Sequence, residues 1–133
     1  MLLRLKDRTY EIEGIIFDKD GTLLDSESFW PVLLETRMEK LREQGVEEHV
    51  ISNCCRTLGL HPDRTIDYSG PFALASRGEE MLVTSTVLYQ NGYRWDKARK
   101  MVEKAYDNAE DELDIDKITK LFPGVKDLLK ELK

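Results

Sequence analysis

Four neighbouring residues have the types and spacing to do chemistry: Asp18, Asp20, Gly21 and Thr22. They lie in the run Ile15-Ile16-Phe17-Asp18-Lys19-Asp20-Gly21-Thr22-Leu23-Leu24-Asp25. The two acids stand at i, i+2, so in an extended chain both side chains point to the same side. Two carboxylates at the mouth of a buried strand cost free energy unless something compensates them. A hard divalent cation is a suitable compensator, because it takes oxygen ligands. Gly21 permits a sharp turn out of the strand, and Thr22 adds a hydroxyl and a backbone N–H. Asp-Gly is also an ordinary turn pair. A calcium loop is ruled out by pattern: that loop needs glycine at its sixth position, where this chain, counted from Asp18, has Leu23.

The acids need an element to hold them. Residues 12–17, with Ile15 and Ile16, read as a buried β-strand. Upstream, Leu3 and Leu5 alternate with Arg4 and Lys6, and Tyr10 and Ile12 with Glu11 and Glu13, which predicts a hairpin turning at Asp7-Arg8. After Leu24 the pattern becomes helical. Ser28 is placed to cap a helix with Trp30, Leu33, Leu34, Met38 and Leu41 on one stripe, ended by Gly45. Val46, Val50, Cys54 and Leu58 mark a second helix, stopped by Gly59. A loop follows from His61 to Pro71. Ser76 and Glu79 have capping-box spacing before a third helix carrying Met81, Leu82, Ser85, Leu88 and Tyr89. Asp96 is placed to cap a fourth, with Ala98, Met101, Val102, Ala105, Tyr106 and Ala109 inward. The acidic run 107–116 reads as a solvated helix end. Pro123 opens a last helix with Val125, Leu128, Leu129 and Leu132 on its stripe.

The 133 residues suit one ordinary domain. Charged residues are 35 % of the chain, an excess seen in heat-adapted proteins and equally in very polar helix faces. A net charge of −6 argues against a nucleic-acid surface. It leaves room for a phosphorylated small molecule, since a metal ion inverts the local field. No apolar run approaches the roughly 18 residues of a membrane span, and the N-terminus lacks a signal-peptide pattern. Cys54 and Cys55 are adjacent and form no disulfide framework, which fits a reducing cytoplasm. Both read as core residues. His49 and His61 have no ligand spacing to them. The aromatics Trp30, Tyr68, Tyr89, Tyr93 and Trp95 read as core or rim rather than as a substrate cage.

The string D-K-D-G-T-L-L-D-S-E after an apolar strand resembles the first motif of the haloacid dehalogenase-like superfamily of phosphohydrolases. The order strand, motif, four helices, then Leu121-Phe122-Pro123-Gly124-Val125 resembles the branch in which a helical cap follows that motif. The resemblance implies an α/β fold with a Rossmann-type core, mostly α in this chain: incomplete core strands plus a four-helix cap. It divides the chain into 1–27 (hairpin and first core strand), 28–118 (cap) and 119–133 (return helix). It implies Asp18 as nucleophile and Asp20 as general acid/base, with the Asp18 carboxylate and the Asp20 carbonyl as ligands of Mg²⁺. Gly21 and Thr22 would shape the phosphate pocket. The implied reaction is hydrolysis of a small phosphorylated metabolite, and Asp20 favours phosphoryl transfer over dehalogenation.

The family's later motifs, a Ser or Thr, a lysine and an acidic pair, belong beyond the return helix. Residues 81–86 mimic the hydroxyl motif but sit in a helical pattern. Residues 111–116 mimic the acidic pair with no strand before them. The expectation is therefore a first half of a phosphatase, inactive alone. Its bare core would be hidden by self-association or by a chain that completes it. The alternative is a non-catalytic binding or regulatory module that keeps the cap fold.

Overall fold

The structure, a computed structural model, describes residues 1–132, and the chain divides into two compact units. One comprises Met1–Asp25 and the segment from Leu121 onward; the other is Ser26–Lys120.

The first unit opens with a hairpin of β1 (Leu2–Leu5) and β2 (Arg8–Glu11), antiparallel, with Leu3 opposite Tyr10 and Leu5 opposite Arg8. The turn is Lys6-Asp7, one residue earlier than predicted, and Lys6 takes φ 53°. Residues 12–17 do not form the predicted buried strand. They follow β2 without secondary structure, residues 13–18 make no backbone hydrogen bond with any described residue, and Ile16 is fully exposed. The physical reason is pairing. A strand exists through its neighbours, and the hairpin strands pair with each other. The core-strand expectation therefore reduces to a two-stranded sheet. The unit ends in α7 (Val125–Glu131), entered through Gly124 at φ 84°. Of its predicted stripe Val125 is buried, whereas Leu128 and Leu129 are exposed.

The second unit is helical. It contains α1 (Ser26–Glu43), α2 (Glu48–Leu58), α3 (Pro71–Leu74), α4 (Arg77–Gln90), α5 (Trp95–Glu112) and α6 (Ile115–Ile118). The four longer helices form a ring, with α1 on α5, α5 on α4, α4 on α2 and α2 on α1. Leu34, Met38, Leu41, Val50, Cys54, Leu58, Leu88, Val102 and Tyr106 fill the centre. The periodicity of α2 and α5 holds: Val50, Cys54 and Leu58 of α2 are buried, as is Val46 just before its start, and so are all the predicted residues of α5 except half-buried Met101. Burial pushes the Cys54 thiol up to about 12, so it is an inert core group.

Two helix starts and one helix face differ from expectation. α1 begins at Ser26 rather than after Ser28. α5 begins after Arg94, and Asp96 sits in its first turn, accepting from Arg94 Nε at 3.1 Å instead of capping. The capping box at Ser76 forms: Ser76 Oγ accepts from Glu79 N–H, and the Ser76 N–H donates to Glu79 Oε2 at 2.8 Å. Yet α4 turns Leu82 and Tyr89 outward and buries Glu80 and Thr84. Those polar groups have partners inside. Glu80 meets Arg37 Nη1 at 2.6 Å, and Thr84 shares a 2.9 Å hydrogen bond with the Tyr106 hydroxyl.

Candidate active site

The acidic loop is built on one carbonyl. Lys19 O accepts from the N–H groups of Leu23 and Leu24 at 3.0 and 2.9 Å, and from Thr22 at 3.4 Å. Gly21 takes φ 75°, a conformation open to glycine, and its N–H returns to Leu24 O at 2.9 Å. The segment 19–24 is thus a closed turn that holds its shape by backbone bonds alone. A second anchor comes from far along the chain. Phe122 N–H donates to Leu23 O at 3.1 Å, and Leu24 bridges Leu121 antiparallel. Nothing in the local pattern of residues 18–25 signals that anchor.

The four predicted residues are placed as follows. Asp18 is exposed, and its Oδ2 accepts from the Thr22 hydroxyl at 3.1 Å. Gly21 makes the turn that brings Thr22 back to Asp18. Asp20 is half-buried: its Oδ2 lies 3.5 Å from the exposed Lys19 Nζ, while its Oδ1 is buried and has no hydrogen-bond donor among the described residues. Asp18 and Thr22 are joined directly; Asp20 hydrogen-bonds neither.

The donor set suits a hard cation in kind, because it offers carboxylate oxygens and the orphaned Asp20 Oδ1 is an acceptor awaiting a partner. It is a partial set: among the described residues no group of three or more His, Cys, Asp or Glu is placed to hold a metal ion. The mimics found in the sequence do not contribute. Thr84, Ser85 and Thr86 each return their hydroxyl proton to the carbonyl four residues back in α4, at 2.7–2.9 Å. The acids of the run 107–116 are exposed, as a solvated helix end requires; among them Asp107 and Glu110 pair with Arg77, and Glu112 with Lys40.

A second polar constellation, inside the helical unit, was not visible in the sequence. Arg37 is buried, binds Glu80 and Glu110, and lies 4.2 Å from the Tyr106 ring centre. Burial pushes the Glu80 carboxyl above its ordinary range against the pull of Arg37. Burial pushes Glu110 up as well, but hydrogen bonds from Arg77 and Arg37 outweigh it and hold that carboxyl low. An arginine at an inward helical position facing a glutamate on another helix leaves no signature in hydropathy. The group has the character of a structural ion network.

Among known proteins, a family model described as haloacid dehalogenase-like hydrolase matches residues 12–133. No curated protein and no solved structure matches the chain. Among the described residues no helix is long and apolar enough to cross a membrane.

Proposed function

This chain belongs to the haloacid dehalogenase-like hydrolase family, and from that premise we propose a cytoplasmic, Mg²⁺-dependent hydrolase of a small phosphorylated metabolite. The observation that carries the reading is the closed loop that ties Asp18 to Thr22 and leaves Asp20 with an orphaned buried oxygen. Asp18 attacks phosphorus with the carboxylate oxygen that Thr22 leaves unbonded, and the bond from phosphorus to the ester oxygen breaks. Asp20 gives its proton to that departing oxygen. Asp20 then takes a proton from water as the water attacks the aspartyl-phosphate; the bond from Asp18 to phosphorus breaks, and phosphate and both acids are restored. The Thr22 hydroxyl orients Asp18 throughout. Mg²⁺, when bound, neutralises charge on the phosphoryl group, and the Asp18 carboxylate and Asp20 carbonyl would hold it. On this reading the helical unit is a cap, which selects the metabolite.

The described site is a partial shell, so the same reading makes the 133-residue chain nearly inert alone, because phosphoryl transfer depends on positioning and charge stabilisation. It also implies a second strand-bearing surface beside residues 12–17, supplied by another copy or by a chain that completes the core. The test is a phosphatase assay over a panel of phosphorylated metabolites, on this chain and on a version extended by a complete core. The extended protein should turn over, and Asp18→Asn should lower its rate at least about a thousandfold. Turnover that survives Asp18→Asn would sink the mechanism. No turnover in the extended protein favours a non-catalytic binding module.

A further inference from the structure

Within the helical unit a cavity of about 220 Å³ lies between the first turns of α1 and the loop 59–70. Trp30 and Tyr68 give it aromatic walls, and Pro31, Ile66, Glu27, Arg64 and Thr65 complete the lining. The loop is firmly built. Leu60 bridges Ile66, His61 N–H donates to Thr65 O at 2.9 Å, and Asp63 Oδ1 accepts from both the N–H and the hydroxyl of Thr65. Arg64 sits at φ 68°. It is held there by a two-pronged pair with Glu35, at 2.7 Å through Nε and 2.8 Å through Nη2, which leaves the Nη1 protons to donate. A strained non-glycine residue fixed this firmly points from outlier to function.

The wall is equally fixed. Trp30 is braced edge-on by Phe72, with ring centres 5.9 Å apart, and by Phe29 at 6.5 Å. Tyr68 meets Trp30 at 5.8 Å and 42°, and its hydroxyl donates to Glu27 Oε1 at 3.1 Å, which orients that carboxylate.

We propose that this cavity binds a small saturated ring bearing several hydroxyls, of monosaccharide size, with its C–H face on Trp30 and its hydroxyls on Glu27 and Arg64. The slightly positive C–H edges of such a ring suit the negative face of an indole. A hydroxyl both donates and accepts, so neighbouring hydroxyls serve a carboxylate and a guanidinium together. The volume holds one ring and excludes a whole nucleotide. The two aromatic walls, tilted 42° to each other, make a wedge, not the parallel slot that a flat base would fill. The inference is independent of the hydrolase reading, because its test needs no turnover.

Trp95→Phe leaves Trp30 as the single tryptophan of the full chain. In that background, Trp30 emission is followed while glucose, galactose, mannose and inositol are titrated in, beside guanosine and choline. A saturable change with at least one of the first four is expected. Tyr68→Ala and Arg64→Asn should each weaken it roughly three- to tenfold with unchanged circular dichroism; asparagine tolerates the positive φ. The proposal is overturned if none of the four saturates, if guanosine or choline binds more tightly, or if both variants bind as the parent does.

Discussion

Arg37 and Glu80 show what one buried pair does to the energetics of a helix bundle. Both are almost fully buried, and their 2.6 Å contact is the short arm of a network reaching Glu110. Replacing Arg37 with leucine strands the Glu80 charge, at a cost of about 3–5 kcal/mol. Urea unfolding should show that loss, and Arg37→Leu with Glu80→Leu should recover most of it. The pH dependence has a defined sign. The Glu80 carboxyl titrates above its ordinary 4.5, chiefly through burial. Its contribution is therefore fully present below the unfolded value and is lost as pH rises through the folded one. Glu80→Gln should thus compare better with the parent near pH 7 than near pH 4; a difference independent of pH would contradict the assignment. The acids of the motif were legible as residue types at a spacing. Which Asp18 oxygen is bonded, and that an Asp20 oxygen is buried, was not, because both follow from the closed turn on Lys19 O.

At the scale of elements, α4 shows how far local signals reach. Its start was legible because Ser76 and Glu79 satisfy each other over three residues. Ser76→Ala should cost about 1 kcal/mol, readable as a lower Tm. Its inward face is legible only in part: Ser85 and Leu88 of the predicted stripe are buried, but Leu82 and Tyr89 look like core and are exposed, and Glu80 and Thr84 do not and are buried. The partners that reverse this, Arg37 and Tyr106, lie 43 and 22 residues away. Residues 12–17 failed as a strand for a related reason: an apolar β-prone run becomes a strand only beside another. Hydrogen exchange should therefore show near-unprotected amides at residues 13–18 and strong protection along α5. Protection at 13–18 in a dilute monomer would mean a pairing within one chain.

At the scale of the molecule, the helical unit covers its core, while the other unit leaves Leu2, Leu5, Ile16, Leu121, Phe122, Leu128 and Leu129 exposed. Apolar side chains beside unpaired backbone are a template for strand addition. Consistent with the proposed partner surface, light scattering over a dilution series should show association that grows with concentration. Ile16→Lys should suppress it without changing the unfolding free energy, because Ile16 is fully exposed in the folded chain. A parent chain that stays monomeric at every concentration would remove the partner proposal.

The sequence by itself determined the elements whose causes are local. These are the turn at Gly21, the stripes of α2 and α5, the capping box and the stop at Gly59, each set by backbone freedom or by hydrogen bonds spanning a few residues. It also carried the motif by which the family is recognised. Tertiary structure alone decided three things. It withheld a partner from residues 12–17, so that no strand forms. It buried an Arg37–Glu80 pair that hydropathy places on the surface. It tied Leu23 to Phe122, 99 positions further along the chain, which anchors the acidic loop from outside. All three depend on groups distant in sequence, and a local pattern holds no record of which distant groups will meet.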